Sequence, residues 1–244
     1  MVKTAVILAA GVNARLSSNF ANKPKGFIEI ENKSLIERSI QILLDNHIEK
    51  IIIGTGYLSE HYQRFALNYN CVVTQKSELY ATTGSFFTLY SLKNIIDEDF
   101  LLLESDLIYE NLAIAHLQER DLENIILASG RTYSGDEVYI EADQNELLIR
   151  MSKNENELSS VFGELVGITK ISIQTYRKVC DLLEGQNDKL RSIEYEYAFT
   201  KLSQIHPIKI DKIDNLVWAE IDTIAHLNRV TNIIYPKLRK LKPE

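Results

Sequence analysis

Apolar residues in this chain fall in short unbroken runs separated by stretches of helical spacing. Ala5-Val6-Ile7-Leu8, Ile51-Ile52-Ile53, Cys71-Val72-Val73-Thr74 and Phe100-Leu101-Leu102-Leu103 lack the alternation of a half-exposed strand. Such runs suit strands covered on both faces, as in a parallel sheet. Between them, Ile36, Ile40, Leu43 and Leu44 stripe one face of a helix opened by Ser34, with Glu37 placed to complete a capping box. A short strand is expected at Phe27–Ile30 and a helix from about Glu60 to Leu67. A further helix begins near Ser85, with Phe86, Leu89 and Tyr90 on its apolar face. Strands alternating with helices at this spacing predict an α/β protein with a doubly wound sheet.

From Ile125 the pattern changes. Ile125–Ala128, Val138–Glu141, Leu147–Arg150 and Leu165–Ile168 read as strands with little helix between them, which predicts a mixed, β-rich extension forming the second wall of a cleft. A helix over Ser172–Leu183, the segment Ile193–Leu202, a strand over Leu216–Asp222 and a basic C-terminal helix follow.

The 244 residues, 45% apolar and 25% charged, fit one large domain. A net charge of −7 argues against a nucleic-acid partner. The absence of an 18-residue apolar run argues against membrane insertion, and Met1-Val2-Lys3 runs straight into a strand without a signal segment. A cytoplasmic location is expected. Cys71 and Cys180 match no metal spacing and read as buried thiols, and the five histidines are dispersed.

Candidate chemistry begins where the first strand ends. Ala9, Ala10 and Gly11 carry almost no side chain, so a ligand can lie against the main chain and its N–H groups. Arg15 and Lys25, the latter in Lys23-Pro24-Lys25-Gly26, set two cations beside that loop, as a polyphosphate requires. The plain alternative is an ordinary strand–helix turn with two surface cations. Thr83, Gly84 and Ser85 open a helix whose N-terminus can hold a base or ribose edge, or can simply be capped. Glu104-Ser105-Asp106 follows a buried strand, where a carboxylate beside a triphosphate suits Mg²⁺.

With Leu8-Ala9-Ala10-Gly11, Arg15 and Pro24-Lys25, the chain resembles nucleotidyltransferases bearing an LAAG-x-x-x-R-(x)n-P-K signature. Asn13 stands where many members have a second glycine, and Asn tolerates positive φ. The resemblance implies a Rossmann-like sheet of the nucleotide-diphospho-sugar transferase type. Residues 1–124 would form a nucleotide-binding half and 125–244 an acceptor-binding half of one domain, which could itself belong to a longer polypeptide. It further implies that Thr83, Gly84, Ser85 and Ser105 serve the nucleotide and that Asp106 and Asp222 hold Mg²⁺. Lys153 would hold the acceptor's phosphate, or else be a solvated loop charge.

Over its whole length the chain resembles small cytidylyltransferases that use CTP to activate phosphocholine or 2-aminoethylphosphonate for cell-surface decoration. Phosphocholine enzymes supply an aromatic where this chain has Asp136 and Glu137. Carboxylates suit a primary ammonium with three N–H donors, whereas a quaternary ammonium is held by aromatic faces. Glu196 and Glu194 could add to that side, and Trp218 or Tyr197 could pack the ethylene carbons. The expected reaction is therefore CMP transfer from CTP to 2-aminoethylphosphonate. Phosphocholine and sugar-1-phosphate acceptors remain alternatives, and a non-catalytic nucleotide-binding domain is a more distant one.

Overall fold

Side chains of the first strand alternate between two cores, which is why its sequence from Ala5 to Ala9 shows no polar position. Val6 and Leu8 pack with Phe86, Leu89 and Phe100 on one side, while Ala5, Ile7 and Ala9 pack with Ile36, Ile40 and Ile53 on the other. The computed structural model describes residues 1–12, 22–184 and 191–241. The chain runs through β1 (Thr4–Ala9), a 3-10 turn (Lys25–Phe27), the small hairpin β2 (Glu29–Ile30) and β3 (Lys33–Ser34), and α1 (Leu35–Asp45). Next come β4 (Lys50–Thr55), α2 (Ser59–Ala66), β5 (Val72–Lys76), α3 (Ser85–Ser91), β6 (Phe100–Glu104), β7 (Leu107–Tyr109) and α4 (Leu112–Glu119). The second half contains β8 (Ile125–Ser129), β9 (Tyr139–Ala142), β10 (Leu148–Ser152), β11 (Gly163–Ile171), α5 (Ile173–Glu184), α6 (Tyr195–Ser203), β12 (Lys209–Ile213) and β13 (Trp218–Glu220). It ends in α7 (Ile224–Arg229), a π-helical turn (Val230–Ile234) and α8 (Tyr235–Leu241).

Nine strands form one sheet in the order β10-β9-β11-β6-β1-β4-β5, with β8 on β11 and β12 on β8. β1 pairs in parallel with β4 on one side and β6 on the other, whereas β11 runs antiparallel to β6. The α/β, doubly wound, mixed-sheet expectation holds. The antiparallel strands after residue 125 extend the same sheet: β11 binds β6 directly, and β8 carries β12 in parallel.

Ser34 caps α1 as anticipated. Its backbone N–H donates to Glu37 Oε2 at 2.8 Å, and the Glu37 N–H donates to Ser34 Oγ at 3.3 Å. Leu44 is half-buried while Ile36, Ile40 and Leu43 are sealed, so the apolar stripe is narrower than read. Cys180 is buried and Cys71 only partly so.

Three local expectations need correction. Lys25–Phe27 is a 3-10 turn, leaving only Glu29–Ile30 as strand, because Pro24 and Lys25 carbonyls accept the Phe27 and Ile28 N–H groups at 2.9 Å each. The strand expected over 216–222 shrinks to β13, which pairs with β7 in a separate antiparallel ribbon. α4 and β12 were not anticipated. β12, Lys-Ile-Asp-Lys-Ile, buries mainly one position and pairs at the sheet edge, so it lacks the apolar run that marks the central strands. Among the described residues, no helix is long and apolar enough to cross a membrane.

Candidate active site

The chain proceeds from β1 to β4 and β5 on one side, then returns to β6 on the other. Strand order therefore switches between β1 and β6, and ligands of open α/β sheets gather at the carboxyl ends of such a pair. There, the Ser105 N–H donates to the Leu8 carbonyl at 3.1 Å. Leu8, Ala9, Ala10 and Gly11 line a cleft of about 450 Å³ along this edge, together with Ser105 and Asp106. A Cβ added at Gly11 would meet nothing within 4 Å, so the loop presents bare backbone to open space.

Lys25 reaches the same point from the 3-10 turn. Its Nζ donates to Asp106 Oδ2 at 2.8 Å and to Asp222 Oδ1. Burial favours the neutral amine, but the two carboxylates outweigh it, and the Lys25 pKa is raised above the ordinary lysine value. Gly26 makes this approach possible. A Cβ there would sit 2.7 Å from the Tyr62 hydroxyl and 3.3 Å from the Ser105 carbonyl. The Tyr62 hydroxyl also hydrogen-bonds with the Ser105 side chain and the Gly26 backbone, tying α2 to both loops.

Asp106 and Asp222 are 116 positions apart, and the β7–β13 ribbon joins them. Trp218, Ala219 and Glu220 face Tyr109, Ile108 and Leu107, and the Ile221 N–H then donates to the Asp106 carbonyl at 3.0 Å. The two side chains expected to cooperate thus lie together, with the Lys25 ammonium between them. Behind the ribbon, Ile28, Leu35, Ile221 and Val230 form a third core that fixes its position.

Glu104 and Glu220 were not singled out from sequence, yet they belong to the same cluster. Oxygens of Glu104, Asp106 and Glu220 lie within 4.8 Å of one another. Burial, followed by the Asp106 and Glu196 charges, pushes the Glu104 carboxyl well above the usual range, while Tyr195 Oη donates to Glu104 Oε1 at 2.6 Å. Glu220 is raised by burial and by Asp106, Glu104 and Asp222. Crowded carboxylates of this kind repel one another unless protonated or joined to a cation, and hard oxygen donors in this number suit Mg²⁺. The signals available in sequence were position at a strand end for Glu104 and the i, i+2 spacing of Glu220 and Asp222, which sends both side chains to one side.

The opposite wall is acidic as well. Glu196 is buried, and that burial pushes its carboxyl up to about 7. Asp136 and Glu137 line the cleft, with Asp136 Oδ1 bound to Lys153 Nζ at 2.9 Å and Glu137 Oε1 accepting the Gly135 N–H at 3.0 Å. Trp218 lines the cleft while its Nε1 donates to Ser129 Oγ at 2.9 Å, which locks the indole. Glu194 also lines the cleft and makes a second contact. Its Oε2 accepts the Ser85 N–H at 2.9 Å, and Ser85 Oγ accepts the Tyr195 N–H at the same distance. The α3 N-terminus is thereby closed by a carboxylate from the α6 lead-in, and a Cβ on Gly84 would collide with the Ile193 carbonyl. Thr83, Gly84 and Ser85 still line the cleft, whereas Tyr197 is not among its lining residues. Asn13 and Arg15 lie outside the described residues.

Residues 5–152 match the model of the MobA-like NTP transferase domain. The chain is 26% identical over 241 residues to the bifunctional protein GlmU of Methanococcus vannielii, covering 96% of this chain and 56% of that one. It is 32% identical over 108 residues to choline-phosphate cytidylyltransferase of Streptococcus pneumoniae, with coverage of 44% and 47%. It thus spans about half the length of these two relatives. Against 2-aminoethylphosphonate cytidylyltransferase of Lancefieldella rimae, identity is 23% over 237 residues, covering 91% and 89%. The solved inositol-1-phosphate CTP transferase from T. maritima shares the fold, with a TM-score of 0.82 at 18% identity and coverage of 99% and 98%.

Proposed function

This chain belongs to the MobA-like NTP transferase domain family, and from that premise we propose that it transfers CMP from CTP to 2-aminoethylphosphonate, releasing pyrophosphate. The observation that carries the reading is the convergence of two remote carboxylates on one buried ammonium at the switch point of the sheet. A phosphonate oxygen of the acceptor attacks the α-phosphorus, forming a new P–O bond. The bond from the α-phosphorus to its bridging oxygen breaks, and pyrophosphate departs with the electron pair. A general base is unnecessary, because the phosphonate is already ionised near neutral pH.

Both reactants are anions, so alignment and neutralisation dominate the barrier. Positioning alone contributes roughly 7–11 kcal/mol in such reactions. The bare backbone at Ala9–Gly11 would receive the triphosphate, and Arg15 would bind it beside Lys25. Lys25, held charged by its neighbours, would stabilise the departing pyrophosphate. Asp106, clustered with Glu104 and Glu220, would hold Mg²⁺ together with Asp222, which shares the Lys25 ammonium with it. When bound, that ion supplies Lewis-acid polarisation and a template for the phosphates. Similarity to proteins named as 2-aminoethylphosphonate and choline-phosphate cytidylyltransferases supports CTP as donor.

The acceptor is read from the second wall. Glu196, Asp136 and Glu137 offer carboxylates for a primary ammonium, and Trp218 offers a flat face for the ethylene carbons. The test is pyrophosphate release with CTP, UTP, dTTP and GTP against 2-aminoethylphosphonate, phosphocholine and sugar 1-phosphates. The highest kcat/KM is expected for CTP with 2-aminoethylphosphonate. A preference for phosphocholine overturns the acceptor, and a preference for a sugar phosphate overturns the cytidylyltransferase reading.

A further inference from the structure

Among the described residues, three permanent cations line the cleft: Lys25, Lys153 and Arg229. Lys25 is committed to Asp106 and Asp222, and Lys153 to Asp136 at 2.9 Å. Arg229 differs from both. It ends α7 and points a half-buried guanidinium into the cleft, where Nη2 donates to the Thr132 carbonyl at 3.0 Å. It has no ion-pair partner among the described residues, although the cavity around it is rich in acids. One of five guanidinium donors is spent on the protein, and the planar fork keeps an edge for an anion.

The Thr132 contact adds a second observation. Thr132 opens the loop that carries Ser134, Asp136 and Glu137 into the cleft, and its own N–H donates to Glu164 Oε2 at 2.8 Å. The loop is thus clamped at one residue, by a buried carboxylate of β11 on one side and by Arg229 on the other. The guanidinium that anchors this loop lines the same cavity as Asp136, Glu137, Glu196 and Asp222.

We infer that Arg229 is the anchor for the acceptor's phosphonate or phosphate group, binding it through the guanidinium edge that does not hold Thr132. This rests on the reading that the cleft takes a phosphonate- or phosphate-bearing acceptor. Lys153, tied to Asp136, then acts mainly on the carboxylate that meets the ammonium end. The acceptor lies with its anion toward α7 and its ammonium toward Asp136 and Glu196, and its reacting oxygen is presented to the nucleotide side.

The test uses Arg229→Gln, Arg229→Lys and, as a control, Arg239→Gln, an exposed arginine of α8. KM for 2-aminoethylphosphonate and for CTP is measured by pyrophosphate release, and methylphosphonate binding is followed by calorimetry. Arg229→Gln should raise the acceptor KM and the methylphosphonate Kd by about 10- to 100-fold, leaving the CTP KM within about twofold. Arg229→Lys should fall between, since it keeps the charge but loses the fork, and Arg239→Gln should match the wild type. Unchanged acceptor KM and methylphosphonate Kd overturn the inference. So does a parallel rise in both KM values, the mark of a loop anchor alone. A wild-type protein that turns over no acceptor yet binds methylphosphonate through Arg229 overturns the proposed reaction and keeps the anchor.

Discussion

The two walls of the cleft are built on different principles. The wall proposed for the nucleotide comes from parallel strands whose carboxyl ends meet at one edge, so β1 and β6 deliver their loops to the same place as a consequence of topology. The wall proposed for the acceptor is assembled from a loop before β9, the turn after β10, the start of α6 and α7, pieces that share no common direction. In the first wall Leu8 and Ser105 are tied to each other at the sheet edge. The second can vary in chemistry without disturbing the strands beneath it, as expected where acceptor specificity resides.

This contrast can be broken at its strongest point. Asp106→Ala or Lys25→Ala should lower turnover by about 10²–10³-fold or more while circular dichroism stays native-like, since charge stabilisation at the reacting phosphates is lost. Near wild-type pyrophosphate release by either variant would remove the site from this wall.

Gly26→Ala comes next. The added methyl meets the Tyr62 hydroxyl at 2.7 Å, and overpacking of this kind costs about 1–3 kcal/mol. Denaturant unfolding should report that loss together with reduced turnover. Tyr62→Phe in the same chain should recover part of the stability by removing the oxygen.

On the acceptor wall, Glu196→Gln should raise the KM for 2-aminoethylphosphonate by about 10-fold and leave the CTP KM unchanged. Burial lifts the Glu196 carboxyl to about 7, so it is neutral below that pH and charged above. Acceptor KM should therefore fall as pH rises through 7 in the wild type, and the Gln variant should flatten that part of the profile. A profile identical in both proteins would take the ammonium contact away from Glu196.

The smallest effect serves as a baseline for both walls. Ser34→Ala removes the capping box of α1 and should cost about 1 kcal/mol in urea unfolding, with kcat and both KM values unchanged.

The same division governs what could be read from the chain alone. β1, β4 and β6 announce themselves because burial on both faces leaves no polar residue in the central runs Ala5–Leu8, Ile51–Ile53 and Phe100–Leu103, and the small residues after β1 mark a loop of exposed backbone. Asp106 follows from its place at the end of β6. Its encounter with Asp222 does not follow from any local pattern; it was supplied by the family resemblance, and the ribbon that joins them has three residues per strand. Glu194 lines the cleft, and its carboxylate also closes the start of α3, a contact across 109 positions that no spacing rule encodes. Arg229 carries no signal in the sequence, since it stands at the end of α7 outside every motif.

The ribbon of β7 and β13 carries a consequence for biosynthesis. One acid of the central pair follows β6 directly, whereas its counterpart arrives only with residue 222. A nascent polypeptide can complete β1, β4, β5 and β6 and still leave Lys25 facing a single carboxylate. The charged centre is thus completed only after the strands that house it.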